Sequence, residues 1–294
     1  MRPPTETRVL ANGLEHHVIT WEPPGETPEA TVLCTHGFLD VGWSWRQVAE
    51  LLARRGHRVI AFDWRGHGST DWVGPGGYYY FTDYVADLAG LVDALVPGPL
   101  HLVGHSMGGT ANVLYAGVFP DRVSRLISVE GLGPPARPPD HRGERVARWV
   151  LGAQKAIQRR GKTRRFSTLD EAVARMRRQN PELSDELGEE LARRATRPVG
   201  DSQGGGHEWS WDPLHLTRGP TAFRVEELME LIREVTAPTL LIAGGDGFAL
   251  PDQEARAAAF KDVRGTTIHG VGHMVHWFAP DALAAEISRF LAPY

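Results

Sequence analysis

Short apolar runs rich in β-branched residues alternate with longer amphipathic stretches from Glu6 to Pro134. Period-2 alternation or a short unbroken apolar run makes a strand, and apolar residues recurring every three to four positions make one buried helix face. On this basis strands are predicted near 6–11, 15–22, 31–36, 57–63, 100–105 and 123–130, with helices near 44–55, 81–96 and 107–119. Asn12-Gly13 joins the first two runs as a two-residue hairpin turn, so the sheet is expected to open with an antiparallel pair and then turn parallel. At PPARPPD (134–140) the pattern breaks, and the chain to about Thr236 is arginine-rich, helical in spacing and without strand-like alternation. Gly200–Gly206 forms a flexible break within it. Strands then resume at 238–243 and 266–268, with helices at 252–260 and 280–291. The fold class expected is α/β: a mostly parallel, eight-stranded sheet with helices on both faces, built from 1–133 and 237–294, and a helical cap at 134–236 inserted after strand six.

Composition narrows the function without naming it. At 294 residues, 41% hydrophobic and 23% charged, the chain can bury a sizeable core. A net charge of -4 and a pI near 6.4 give no general attraction to nucleic acid or an anionic membrane, so the expected partner is a small, hydrophobic molecule. Oligomeric state is left open. Cys34, the only cysteine, sits in the apolar run Thr31–Thr35 and reads as a small buried hydrophobe. The opening MRPPTETRVLANGLEHHV lacks an apolar signal core and no stretch is long enough to span a bilayer, which leads us to expect a cytoplasmic location.

The candidate chemistry begins at Leu100–Gly109, a strand running through G-x-S-x-G into a helix. Such a turn holds its serine, here Ser106, in a strained and exposed conformation, while Gly104 and Gly108 let strand and helix pass close by. A serine hydroxyl needs a base at neutral pH. His273, on the glycine-flanked loop Gly270–Met274 between the last strand and the last helix, is placed to supply it. His276 and His269 read as packing or capping groups. No acidic or cysteine partner stands near these three histidines at ligand spacing, so neither a metal nor another cofactor is expected. Gly37 lets the loop after the third strand turn its backbone, so that the Phe38 and Met107 N–H groups can form an oxyanion hole, with His36 bracing the loop.

HGF at 36–38, DWRGHGST at 63–70, GHSMGG at 104–109 and GVGHMVHWFAP at 270–280, in this order, resemble the α/β-hydrolase family across nearly the whole chain. PELS at 181–184, WSWDPLHL at 209–216 and the segment 225–247 resemble its serine hydrolase-like subgroup. The resemblance implies a serine nucleophile rather than the carboxylate of the dehalogenase and epoxide-hydrolase branches. It also implies that Asp63, Arg65 and His67 hold the loop after the fourth strand. Many members carry the triad acid just past the seventh strand, where this chain has Gly244-Gly-Asp-Gly247. Gly247 falls on the usual acid position and Asp246 one residue before it. Glu130, at the end of the sixth strand, is the acid favoured here, with Asp246 as the alternative; Asp252 reads as a helix cap.

The expected activity is hydrolysis of a carboxylic ester or related acyl bond through Ser106, His273 and Glu130. A lactonase or carbon–carbon hydrolase using the same residues, or a non-catalytic binding protein, are the alternatives. Phe38, Trp43, Met107, Trp209, Trp211, Phe248 and Met274 are the candidate pocket walls, although Asp40 and Trp43 could equally anchor the first helix.

Overall fold

The computed structural model describes residues 2–25, 27–136, 141–160, 165–200 and 205–292. Asn12 and Gly13 both adopt positive φ (49° and 75°) and close the hairpin between β1 (Thr5–Ala11) and β2 (Leu14–Trp21). The strands β3 (Thr31–Thr35), β4 (Arg58–Phe62), β5 (Leu100–His105), β6 (Val123–Val129), β10 (Thr239–Gly244) and β11 (Val263–Ile268) complete one eight-stranded sheet. Its order is β1-β2-β4-β3-β5-β6-β10-β11. β2 pairs antiparallel with β4 as well as with β1, and every pairing beyond β4 is parallel.

Burial on both faces explains the near-continuous apolar runs of the central strands. One face packs on α2 (Phe81–Leu95) and α3 (Met107–Val118), through residues such as Leu33, Leu88, Leu102 and Val113. The other packs on α1 (Arg46–Arg54) and α10 (Pro280–Leu291), through Val32, Trp45, Leu52, Val103 and Ile287. Cys34 lies wholly within this second cluster, and burial pushes its thiol pKa up, leaving it un-ionised.

Between β6 and β10 the chain leaves the sheet. It forms α4 (Arg142–Arg159), α5 (Leu169–Arg177), α6 (Asp185–Ala195) and α7 (Val225–Glu234). It also forms a three-stranded antiparallel sheet from β7 (Arg165–Phe166), β8 (Thr196–Pro198) and β9 (His207–Trp209), which the expectation of an all-helical segment omits. Strands of two or three residues are too short to display alternation. Residues 137–140 of the proline-rich break and 201–204 of the glycine-rich one lie outside the described residues. The predicted helix at 252–260 is shorter, α8 (Gln253–Ala257), and an extra short helix, α9 (Val275–Phe278), precedes α10. No described helix is long and apolar enough to cross a membrane.

Candidate active site

The turn from β5 into α3 is strained backbone at the carboxyl end of a parallel strand. Ser106 adopts φ 51° and ψ −115°, a region unfavourable for any residue with a Cβ. Its N–H donates to Val129 O at 2.9 Å, tying the turn to the end of β6. Close approach is enforced by absent side chains. A Cβ on Gly104 would lie 2.6 Å from Gly109 N, and one on Gly108 2.6 Å from Thr35 O. A Cβ on Gly37 would stand 3.3 Å from Ser106 Cβ, so the HGF loop runs directly past the serine. Met107 is the first residue of α3, whose free N–H groups and dipole point toward the serine's side of the turn. Phe38 is 47% exposed.

Glu130 leaves β6 with φ 54°, and its side chain is only 1% exposed. A buried carboxylate requires donors, and the loop after β10 provides them: Gly244 N–H reaches Oε1 at 2.8 Å and Phe248 N–H reaches Oε2 at 3.0 Å. His273 Nδ1 lies 3.1 Å from the same Oε2, and its ring, 28% exposed, faces the rim. A Cβ on Gly247 would lie 2.7 Å from both Oε2 and Cδ of Glu130. The glutamate carboxylate thus fills the space that a side chain at 247 would need. Asp246 is exposed, and its backbone N–H holds the turn to Val271 O at 3.0 Å.

His105, immediately before the serine, is buried, and its Nε2–H donates to His273 O at 2.9 Å. Its ring lies 4.6 Å from that of His273 and 4.4 Å from that of His276. Burial, and then the neighbouring His276 and His273, hold the His105 pKa well below the ordinary histidine value. His36 braces its loop: Nδ1–H donates to Gly37 O at 2.7 Å and Nε2 accepts the Trp64 N–H at 3.0 Å. Asp63 accepts from Gly42 N–H (2.7 Å), Ser69 N–H (2.9 Å) and the His17 ring (2.8 Å). His67 Nε2 accepts the Leu39 N–H at 3.3 Å, whereas Arg65 turns away to Asp87.

The candidate wall residues divide. Phe248 is 74% exposed with its ring 5.2 Å from that of His273, so it stands on the rim with Phe38. Met274 packs with Leu183, Leu191 and Trp277 where α6 meets the core. Trp209 packs on Phe166 (4.9 Å) and beside Trp211 (6.5 Å) in the small sheet's own core. Trp43 donates to Glu190 Oε1 of α6 at 2.6 Å and carries the Arg194 guanidinium 3.7 Å above its ring, fastening the excursion to the core. Asp40 anchors rather than lines: its Oδ2 accepts from Ser44 Oγ–H (2.8 Å) and His276 Nε2–H (3.1 Å). Asp252 does not cap α8 with its side chain, which binds Arg256 instead.

Sequence reasoning missed two sets of contacts. Arg256, fully buried, donates to Leu132 O and Pro134 O and so staples α8 to the segment following Glu130. Asp212 and His215 dock the excursion on the loop after β4. Asp212 N–H donates to Gly66 O, its carboxylate binds Arg160 and the Tyr79 hydroxyl, and the His215 ring lies 4.2 Å from that of His67. The motif WSWDPLHL carried this signal, but only as a resemblance.

Comparison with known proteins accords with this architecture. Residues 30–280 match the family model described as alpha/beta hydrolase fold. The serine hydrolase-like protein of Danio rerio is 28% identical over 284 residues, spanning 93% of this chain and 84% of that one. Among solved structures, the thioesterase domain from the curacin biosynthetic pathway superposes with a TM-score of 0.81 at 29% identity, covering 98% of this chain and all of the other. A hypothetical protein from Pseudomonas aeruginosa PAO1 gives 0.86 at 27% identity, covering 98% and 99%. Strand order, the strained serine turn and the sequence match over most of the length lead to one assignment: the chain belongs to the α/β-hydrolase fold family and is similar to its serine hydrolase-like members.

Proposed function

We propose that the protein is a serine hydrolase that cleaves a carboxylic ester or related acyl bond through Ser106, His273 and Glu130. The observation that carries this reading is the buried Glu130 carboxylate, held by two backbone amides and 3.1 Å from His273 Nδ1, at the same sheet edge as the strained Ser106. A carboxylate so held fixes the ring with Nδ1–H toward it, leaving Nε2 free as the base.

In the reaction Ser106 Oγ bonds to the carbonyl carbon as its proton passes to His273 Nε2. The carbonyl π pair moves onto oxygen, where the Phe38 and Met107 N–H groups stabilise it. Collapse expels the alcohol, which takes the proton from His273. Water then attacks the acyl-serine with the same base, releasing the acid and restoring Ser106. Glu130 stabilises the imidazolium. Phe38 and Phe248, both exposed at the rim, suit a hydrophobic acyl or alcohol group. The segment from 134 to 236 serves as a cap over that rim, and a serine nucleophile separates this chemistry from the carboxylate route to an alkyl ester.

The test is a fluorophosphonate probe together with a panel of aryl esters and lactones, applied to the parent, Ser106→Ala, Glu130→Gln and Asp246→Asn. The parent should label and turn over substrate, Ser106→Ala should do neither, and Asp246→Asn should behave as the parent. Turnover lost in Asp246→Asn but kept in Glu130→Gln would transfer the acid role to Asp246. A parent that neither labels nor turns over any substrate would reject the enzyme reading.

A further inference from the structure

Beside His273, next to the His105 ring that packs against it, lie three buried side chains whose lone pairs the proposed chemistry does not use. His276 comes from α9, Asp40 from the loop after β3 and His105 from the end of β5, and one ligand-type atom of each lies within 4.8 Å of the others. All three are buried. Ser44 Oγ joins them, 2.8 Å from Asp40 Oδ2 and 3.2 Å from His276 Nε2.

A neutral imidazole has one N–H and one lone pair. His105 spends its N–H on His273 O, and its Nδ1 has no hydrogen-bond partner despite full burial. His276 spends its N–H on Asp40, and its Nδ1 likewise faces no donor. Unused nitrogen lone pairs inside a protein are uncommon, because each forfeits a bond it had in water. Here His105 Nδ1 belongs to a ring 4.4 Å from that of His276, whose Nε2 meets the buried Asp40 carboxylate and the Ser44 hydroxyl. Two imidazoles, a carboxylate and a hydroxyl form a donor set suited to a first-row transition-metal ion rather than to calcium or magnesium, which prefer all-oxygen shells.

We infer that Asp40, His105 and His276, with Ser44 Oγ as a fourth donor, form a binding site for a divalent cation of the zinc class, and that its occupation inhibits the hydrolytic centre. Ligands about 2.0–2.2 Å from such an ion stand about 3.3–3.6 Å apart. A closure of about 1.2–1.5 Å is therefore enough at the widest separation, 4.8 Å. The ion takes the Nε2 lone pair of His276 in the tautomer whose proton sits on the unpartnered Nδ1, so the proton moves between the two ring nitrogens and none is lost. Inhibition follows from His105: its ring packs at a tilt against that of His273 and its N–H holds the His273 carbonyl, so drawing His105 toward a metal pulls on the loop carrying the base.

The experiment is calorimetric titration of zinc chloride into the parent, Ser106→Ala, His276→Gln and His273→Ala chains, with ester turnover followed in parallel for the parent. One equivalent of zinc should bind the parent, Ser106→Ala and His273→Ala alike, and His276→Gln should weaken binding about tenfold or more. Zinc should suppress parent turnover and a chelator should restore it. Absence of saturable binding to the parent overturns the inference. So does binding unchanged in His276→Gln but lost in His273→Ala, which would put the metal on the catalytic imidazole. If His276→Gln lacks the parent's circular dichroism, Asp40→Asn and Ser44→Ala replace it with the same expectation. The heat signal needs no substrate, so this result stands or falls separately from the esterase reading.

Discussion

Glu130 occupies the volume that a side chain on residue 247 would need, and this steric exclusivity makes the acid assignment testable in both directions. On the proposed mechanism, Glu130→Gln keeps the shape but removes the charge that stabilises the imidazolium, so kcat should fall by about 10³–10⁴-fold with KM little changed. Glu130→Gly alone should be as impaired, and adding Gly247→Asp should recover part of the loss, because the new carboxylate enters the vacated space beside His273. A double variant no better than Glu130→Gly would argue that the glutamate supports the loop rather than the base. Part of the proposed site was legible from residues alone. Ser106 and His273 announce themselves by glycines on either side, and Glu130 by the glycine standing at the usual acid position. The Asp40–His276 pair was not legible, since its members are 236 positions apart and each has an ordinary local role, one in a loop and one in a short helix.

At the level of elements, the serine turn depends on three chain segments passing without side chains between them. Gly104→Ala would place a methyl 2.6 Å from both Gly109 N and Asn112 Nδ2. Backbone can only shift as a unit, so overpacking should lower stability by about 1–3 kcal/mol in urea denaturation and disturb the turn enough to slow fluorophosphonate labelling. Labelling at the parent rate would show that the turn tolerates more than its geometry implies. Most strands of the main sheet were readable because burial on one or both faces writes alternation or an unbroken apolar run into the sequence, and the exposed β1 because the Asn12-Gly13 turn ties it to β2. The small sheet of β7, β8 and β9 was not. Its strands are two or three residues long and their pairing is set by contacts among α5, α6 and the strands themselves, not by alternation.

Across the whole molecule, buried histidines set the acid limit of stability. Burial lowers the pKa of His36, His57, His67 and His105, and takes His101 and His215 to about 4. These six rings are neutral when folded and take up protons when unfolded below about pH 6.5, so their contribution to stability is present above that value and is lost as pH falls. His17 runs the other way. Burial lowers its pKa, but Asp63 and then Glu6 outweigh burial and raise it, so its contribution is present at low pH and is lost as pH rises through the folded value. Six outweigh one between about pH 6.5 and pH 4. The urea midpoint should therefore drop steeply over that interval, with more than one proton taken up per molecule unfolded. A midpoint independent of pH there would contradict the burial of these rings.

Arg194 reaches from α6 to two places at once, paired with Glu6 on β1 at 2.9 Å through both nitrogens and placing its guanidinium carbon 3.7 Å from the centre of the Trp43 ring. Ion pairs this exposed contribute only about 0.2–1 kcal/mol, so Arg194→Ala should leave the unfolding midpoint nearly where it was. What it alters is optical. An indole beneath a guanidinium emits differently from one open to water, which makes residue 43 a built-in gauge of whether the excursion is seated. The difference in emission between the parent and Trp43→Phe, each on the Ser106→Ala background and followed while a substrate-like ester is added, would report, without any attached dye, whether that contact opens or stays seated.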